Sequence, residues 1–342
     1  MSGSVILESA ALRVTINPRV GGTITRIEHR ALGLDVMGTV PWDPVDAPME
    51  PAEARDEPSW LTRYTGGWPL LFPNAGDACV FEGVAHGFHG EASITPWRAE
   101  TSRAAIRLTR RFATVPVHMT RIVTLEADVV AVRETAEVLG ERPVEVMWGH
   151  HPTFGADLLD GDFEIRSGAG TVTVDLPYDP QGNPLQPGAT GKWPLVPGKA
   201  GPFDLSRPQR NAAKITALAY LHDFDGAWIS LRRMDDAVAV ALSWDAAIFP
   251  CAWLWFDFGA VADPPWNGKT RLIALEPNTT RFGWGLAEAK RQGARLLTLR
   301  PGAPLTTTVR LHVFRPAGPV AAVDREGRAI PEIISTACPR TR

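Results

Sequence analysis

Two histidine clusters are the groups in this sequence best suited to proton transfer. The first lies in Val84-Ala-His-Gly-Phe-His-Gly-Glu91 and the second in Met147-Trp-Gly-His-His-Pro-Thr-Phe154. Histidine exchanges protons near neutral pH, and the neighbouring glycines allow a ligand to approach the backbone closely. We therefore take His86 and His151 as the leading acid–base candidates. For any single histidine, a hydrogen-bonded scaffold role is the alternative.

A third candidate is the carboxylate of Glu276. The apolar run Leu272-Ile-Ala-Leu precedes it directly, and Pro277 follows it. A carboxylate at the end of such a strand is partly desolvated, which raises its pKa and makes it a stronger base. The alternative is an ion pair with Arg271 or Arg281.

An aromatic run, Ala252–Gly259, offers flat apolar surfaces. Strand alternation places three of its residues on one face, namely Trp253, Trp255 and Asp257. The other face carries Leu254, Phe256 and Phe258 and is the better candidate for the core. Indole faces suit the C–H face of a sugar ring. An aromatic core strand is the alternative.

The elements that must position these groups are mostly strands. Period-two alternation of apolar and polar residues recurs along the chain, and 31 Gly and 30 Pro supply turns. The clearest strand signals contain Val14/Ile16, Ile106/Leu108, Val144/Val146, Val172/Val174 and Val309/Leu311/Val313. Ala237–Ser243 is apolar on both faces and fits an interior strand. The best helical segment is Leu286–Gln292, ended by Gly293. The pattern predicts an all-β fold, a large antiparallel sandwich or barrel with few short helices.

Irregular segments interrupt this pattern without dividing it. We expect a surface loop over Pro41–Pro58 and a long excursion or lid over Pro177–Pro208. No internal repeat is evident, so residues 1–316 are predicted to form one β domain. Residues 317–342 are predicted to be an extension that includes a small hairpin within Val323–Ile330 and frays beyond Ile334.

Composition excludes several other classes of protein. Lys and Arg number 35 against 38 Asp and Glu, a net charge of −3, so neither nucleic acid nor an anionic membrane is an expected partner. The sequence lacks GxGxxG, GxxxxGK[ST] and CxxC patterns, which argues against nucleotide and zinc sites. No signal peptide or apolar run of about 18 residues is present. With three scattered cysteines, Cys79, Cys251 and Cys338, these features favour a cytoplasmic protein.

In order and spacing, the motifs resemble the aldose 1-epimerase (galactose mutarotase-like) family over roughly residues 5–315. Each motif is short, but several occur in the family's order. They are Gly21-Gly-Thr-Ile-Thr-Arg-Ile27, Gly67-Trp-Pro-Leu-Leu-Phe-Pro-Asn74, His86-Gly-Phe88, His151-Pro-Thr-Phe154, Glu276 and Leu299-Arg-Pro-Gly302.

The resemblance implies a large antiparallel β-sandwich with an open sugar cleft and an activity that interconverts the anomers of an aldose. It makes Glu276 the base and His151 the acid, with His86 hydrogen-bonding the ring oxygen or an adjacent hydroxyl. Opening a hemiacetal needs such an acid and base. The resemblance requires no metal, nucleotide cofactor or covalent intermediate.

Further substrate contacts are expected beside these groups. The candidates are Asn74, Asp77, His89, Trp148, His150, Trp255 and Asp257. Three departures from the family pattern affect substrate binding. No Arg follows Asn74, Thr153 replaces the usual Tyr, and His89-Gly-Glu91 follows His86-Gly-Phe88 where the family has an Arg-containing segment. The motifs are poor in basic residues that could bind phosphate, which favours a neutral aldose. Monomer and homodimer both stay open.

Two other functions are compatible with the same residues. A non-catalytic sugar-binding protein or sensor shares the aromatic surface and needs no acid–base pair. A metal-dependent β-barrel enzyme could use His86, His89, Glu91 and His151. That set lacks the His-x-His spacing of cupins, and alternation puts His86 and His89 on opposite faces unless a turn intervenes.

Overall fold

Alternating burial along the strands shows why this sequence forms sheets. In the segment Val117–Glu126, the alternate residues Val117, Met119, Arg121 and Val123 are buried, and His118, Thr120 and Ile122 between them are half-exposed. One side chain on the buried face is charged, that of Arg121, which is fully buried. The computed structural model describes residues 3–210 and 214–332.

The described part of the chain contains many strands, only three short α-helices and two 3₁₀ turns, Pro51–Glu53 and Pro208–Arg210. In chain order the strands are β1 (Val5–Glu8), β2 (Leu12–Asn17), β3 (Thr23–His29), β4 (Leu34–Asp35), β5 (Leu70–Leu71), β6 (Cys79–Phe81), β7 (Val84–His86), β8 (Arg98–Thr101), β9 (Ala105–Arg111), β10 (Val117–Glu126), β11 (Val129–Val138), β12 (Val144–Val146), β13 (Gly149–His150), β14 (Thr153–Phe154), β15 (Phe163–Val174), β16 (Thr190–Lys192), β17 (Leu195–Gly198), β18 (Gly201–Asp204), β19 (Thr216–Arg233), β20 (Ala239–Ser243), β21 (Cys251–Phe258), β22 (Arg271–Asn278), β23 (Leu297–Leu299), β24 (Leu305–Phe314), β25 (Val320–Val323) and β26 (Ala329–Pro331). The helices are α1 (Glu57–Leu61), α2 (Ala156–Leu159) and α3 (Gly285–Arg291).

The largest sheet organises the molecule. It has 14 strands, with the order β5-β13-β22-β21-β19-β20-β24-β11-β10-β9-β8 and with β14, β15 and β16 attached beside that path. A second sheet has the order β1-β2-β3-β4, and four two-stranded pairs complete the architecture. The ladders between these strands are antiparallel. The predicted all-β class, a large antiparallel β-sandwich with few short helices, is confirmed.

The main core lies where the two larger sheets meet. Leu12 and Ile16 of the four-stranded sheet are fully buried in the same cluster as Val117, Val132 and Leu311 of the large sheet. Burying such side chains contributes about 1.5–3 kcal/mol each, as an upper estimate. The core therefore fixes the large sheet, whose strands β21 and β22 carry the candidate site.

Local predictions agree with these elements in most places. The predicted helix Leu286–Gln292 is α3, and Gly293 follows its C-cap with a left-handed φ of 78°. The long excursion Pro177–Pro208 holds only the short strands β16 to β18. The segment Pro41–Pro58 is largely irregular but ends in the first residues of α1, which packs against the site.

The C-terminal part of the described chain is a hairpin. Strands β25 and β26 pair in antiparallel fashion, and this hairpin covers most of the predicted segment Val323–Ile330. The division at residue 316 into a domain and an extension stays a prediction. The fraying expected beyond Ile334 concerns residues outside the described part.

No helix of residues 3–210 and 214–332 combines the length and the apolar character needed to cross a membrane.

Candidate functional site

The register of the large sheet brings His151 and Glu276 together. Strands β13 and β14 both pair with β22 in one continuous register, and His151 lies between them, opposite Glu276. On the other side of β22, Trp253 of β21 is the direct partner of Glu276. The Nε2 atom of His151 is 3.5 Å from Oε1 of Glu276. Two of the three predicted catalytic residues thus form a pair.

Burial controls the protonation of this pair. His151 is 7% exposed and Glu276 is 2% exposed. Desolvation raises the pKa of Glu276 well above its usual value and lowers the pKa of His151 to about 4. Oε2 of Glu276 has no hydrogen-bond partner among the described residues. The two groups together therefore hold a single proton over a wide pH range.

A hydroxyl pair holds the other side of the His151 ring. Nδ1 of His151 is 3.0 Å from Oγ1 of Thr153, which is 2.6 Å from the hydroxyl of Tyr64. The ring of Tyr64 also packs edge-on against His151, with 5.6 Å between the centroids. Thr153, at the position where the family pattern has Tyr, thus contacts the candidate acid through its hydroxyl. Tyr64 brings a phenol to the same place from another segment of the chain.

His89 is the second histidine of the cleft. Its Nδ1 atom accepts a hydrogen bond from the backbone N–H of Gly76 at 2.9 Å. Its ring lies 5.6 Å from that of His151 and packs edge-on against Trp60 at 4.7 Å. Burial and the nearby His151 lower the pKa of His89 well below its usual value. His89 is therefore a neutral imidazole beside the His151–Glu276 pair.

Aromatic side chains form the walls of a cleft of about 240 Å³ above this pair. Its tryptophans are Trp60, Trp253, Trp255, Trp266 and Trp284. The N–H of Trp255 donates to the hydroxyl of Tyr178 at 3.1 Å, so the loop after β15 fixes this indole. Indole surfaces of this kind suit the apolar face of a sugar ring. The predicted contact residue Trp255 lines the cleft.

Acidic groups line the same cleft. Asp77 and Glu57 lie at its exposed rim, and Asp175 is buried deeper. Asp175 accepts hydrogen bonds from the Trp284 N–H at 2.8 Å, from the Tyr178 backbone N–H at 2.7 Å and from the Tyr220 hydroxyl. Lys and Arg are absent from the described residues that line the cleft.

The structure does not place His86 in this cleft. His86 ends strand β7, pairs with Cys79 and faces a separate concavity beside Glu82 and Glu145. A turn at Gly87–Gly90, with His89 at a left-handed φ of 57°, reverses the chain and brings His89 to the cleft instead. The predicted contact of His86 with the ring oxygen does not fit this placement.

Trp148 and His150 were predicted as substrate contacts but lie in the core. The Trp148 N–H donates to Oε2 of Glu134 at 2.9 Å, and Nε2 of His150 is 3.3 Å from the same oxygen. Arg121 Nε lies 3.2 Å from the other oxygen of Glu134. Because neighbouring strand residues face opposite sides, His150 points into the core where His151 points to the cleft.

Asn74 and Asp257 also serve the fold rather than the cleft. The Asn74 amide donates to the carbonyls of Asp77 and Gly87 and accepts the N–H of Leu286. Asp257 is fully buried and accepts the backbone N–H groups of Ala260 and Val261 and the hydroxyl of Thr270. These amide and carboxylate groups are occupied within the protein, so neither residue contacts the cleft.

The alternative metal set does not assemble. Glu91 is buried, and its oxygens accept from Arg110 and from the backbone of Ala113 and Thr114. The described residues contain no group of three or more His, Cys, Asp or Glu side chains placed to hold a metal ion.

Sequence reasoning missed several residues of the site, among them Trp60, Tyr64, Asp175 and Trp284. Trp60 and Tyr64 directly follow the acidic, Pro-rich segment, where an aromatic residue is a sign of burial. Asp175 ends the alternating run of β15, and Trp284 precedes α3. The twelve tryptophans against three tyrosines are the signal that could have pointed to the first and last of these.

The fold is that of galactose mutarotase-like proteins. Similar solved structures include a galactose mutarotase-like protein from Lactobacillus casei, with a TM-score of 0.63, 17% identity and coverage of 91% of this chain and 100% of that one. A galactose mutarotase related enzyme from Lactobacillus acidophilus has a TM-score of 0.60 and 15% identity, with 91% and 97% covered.

A third example comes from an animal. An aldose epimerase homologue from C. elegans matches with a TM-score of 0.62 and 13% identity, covering 92% of this chain and 99% of that one. No protein-family model matches the sequence, and no curated protein matches it. At these identities the similarity defines the fold.

Proposed function

We propose that this protein is an aldose 1-epimerase-like isomerase that interconverts the α and β anomers of an aldose. The observation that carries the proposal is the buried His151–Glu276 pair, 3.5 Å apart at the floor of an aromatic cleft. The names of the structurally similar proteins support a sugar as the ligand.

The pair supplies the acid and the base that ring opening needs. In the reactive form of the pair the single shared proton lies on His151 and Glu276 is ionised. Glu276 then takes the proton of the anomeric hydroxyl as His151 gives the shared proton to the ring oxygen, so the C1–O5 bond breaks and an open-chain aldehyde forms. After rotation about C1–C2, the ring oxygen attacks the other face of C1 and both protons return. The cycle is balanced and consumes no co-reactant.

The remaining cleft residues bind and orient the sugar. His89 offers a neutral N–H to a sugar oxygen, which replaces the role that the sequence gave to His86. Trp253 and Trp255 pack against the apolar face of the ring, and Asp77 accepts a sugar donor at the rim. The described residues that line the cleft include no Lys or Arg, so the aldose carries no phosphate.

The test is polarimetry of a freshly dissolved pure anomer. We expect the wild-type protein to accelerate the approach to equilibrium and Glu276→Gln to lose about 100-fold or more of that rate. Glu141→Gln, which removes an exposed carboxylate remote from the cleft, is the matched control. An unchanged rate in Glu276→Gln would refute the base assignment. Tight sugar binding without any acceleration would favour a non-catalytic binding protein.

A further inference from the structure

The polar groups along the cleft are unequally divided between acceptors and donors. Four carboxylates line it, those of Glu57, Asp77, Asp175 and Glu276. An ionised carboxylate only accepts hydrogen bonds. Oε2 of Glu276 is buried and has no partner among the described residues, so this acceptor is available to a ligand.

Most N–H donors of the residues that line the cleft bond to acceptors within the protein. Four indole N–H groups donate to protein acceptors, those of Trp60, Trp253, Trp255 and Trp284. The backbone N–H groups of Gly76 and Gly283 donate to His89 Nδ1 and to the Tyr220 hydroxyl. Asp175 is already occupied by three hydrogen bonds. A ligand therefore meets the carboxylates of Glu57, Asp77 and Glu276 as acceptors and few donors.

The carboxylates also act on one another. The pKa of Glu57 is raised by desolvation and by the charge of Asp77, and the pKa of Asp77 is raised by desolvation and by the charge of Asp175. No Lys or Arg compensates them among the described residues that line the cleft. A cation bound between these groups would relieve the repulsion.

We propose that the aldose favoured by this cleft carries a protonated amine, which makes amino sugars its substrate class. An ammonium group supplies three donors and no acceptor, which complements the acceptor-rich lining. Cations are also attracted to indole faces, and five tryptophans line the cleft. That the ligand is an aldose rests on the proposed function, whereas the preference for a cationic ligand rests on the residues that line the cleft.

Tryptophan fluorescence of the intact protein measures the binding preference directly. The probes are the 2-amino, 3-amino and 6-amino deoxyhexoses, an N-acetylated 2-amino sugar, the parent hexose and hexose 6-phosphate. We expect at least one amino sugar to bind more tightly than the parent hexose, by about fivefold for each exposed carboxylate engaged. Raising the salt concentration should weaken this preference. Equal binding of the parent hexose and all the amino sugars, or tighter binding of the phosphate, would overturn the inference.

Variants that replace a rim carboxylate by its neutral amide show which carboxylate causes the preference for amino sugars. Asp77→Asn and Glu57→Gln should each reduce the ratio of amino-sugar to hexose affinity, while Glu141→Gln should leave that ratio unchanged. A ratio that survives both substitutions would also overturn the inference. Anomer exchange is followed separately by polarimetry on the same sugars. If the protein prefers amino sugars but does not accelerate anomer exchange, the proposed isomerase activity is refuted and the proposed ligand class stands. If it accelerates exchange but shows no preference for amino sugars, the isomerase activity stands and the proposed ligand class is refuted.

Discussion

His89 accepts the backbone N–H of Gly76 on its Nδ1 atom, at 2.9 Å. Because a backbone N–H can only donate, the neutral ring must carry its proton on Nε2. Burial and the neighbouring His151 lower the pKa of His89 well below its usual value, so the ring stays neutral in the working pH range. His89 is thus a fixed N–H donor and not a proton shuttle.

Two substitutions separate the two nitrogens of His89. In Asn, the side-chain oxygen reaches roughly where Nδ1 lies, and Asn tolerates the left-handed φ of 57° at this position. His89→Asn should therefore keep the fold and lose about 10- to 100-fold in kcat/KM through loss of the Nε2 donor. His89→Gln, which places an N–H near the position of Nε2, should recover part of the rate. Circular dichroism and polarimetry measure both effects, and equal rates for wild type and His89→Asn would contradict the donor role.

The activity should depend on pH through the single proton shared by His151 and Glu276. Below the pKa of His151, about 4, both groups are protonated and no base is present. Above the raised pKa of Glu276, both groups are deprotonated and no acid is present. We expect a plateau between these limits, with losses on both sides. A rate that rises through the raised pKa of Glu276 and never falls would show that His151 is not the proton donor.

The hydroxyl of Thr153 should matter for positioning rather than for binding. Thr153→Val keeps the side-chain shape but removes the contact with His151 Nδ1 and with the Tyr64 hydroxyl. Free orientation of the His151 ring should lower kcat by up to about a hundredfold, with little change in KM. Thr153→Ser, which retains the hydroxyl, is the matched control. A rise in KM with unchanged kcat would instead make Thr153 a binding residue.

The buried ion pair of Arg121 and Glu134 should govern stability. Arg121→Met leaves the Glu134 carboxylate buried without its cation and should lower the free energy of unfolding by about 3–5 kcal/mol. The double variant Arg121→Met/Glu134→Gln removes both charges and keeps an acceptor for the Trp148 N–H, so it should be more stable than the single variant. Denaturant unfolding gives both values. A double variant less stable than Arg121→Met would contradict this account.

The fold class could be predicted because the alternation of apolar and polar residues along a strand shows which of its faces is buried. Strands such as β2, β9 and β24 each have one apolar face in the sequence and one buried face in the structure. Alternation also explains which histidine of the His150–His151 pair reaches the cleft once one of them is assigned to the core. It cannot do this for His86 and His89, because a left-handed residue between two glycines reverses the chain there.

The walls of the site were harder to predict than its floor. Glu276 follows an apolar run within β22, and His151 belongs to a short motif beside a proline, so both could be singled out from the sequence. Trp60 lies on a short helix and Trp284 in a loop, and they reach the cleft through tertiary packing that no periodicity encodes. Asp257 was predicted as a cleft residue and is not one. It shares a strand face with Trp253 and Trp255, but its carboxylate accepts hydrogen bonds from the backbone of the turn that follows β21.

Asp175 joins three separate segments of the cleft through one carboxylate, by way of Tyr178, Tyr220 and Trp284. None of these segments can swing outward alone without breaking a hydrogen bond to the buried Asp175 side chain. The wall of the cleft formed by Tyr178, Tyr220 and Trp284 thus moves as one unit rather than as separate hinged segments. Sugars should enter and leave by simple diffusion, so that the residence time depends on contacts with the walls and not on the opening of a gate.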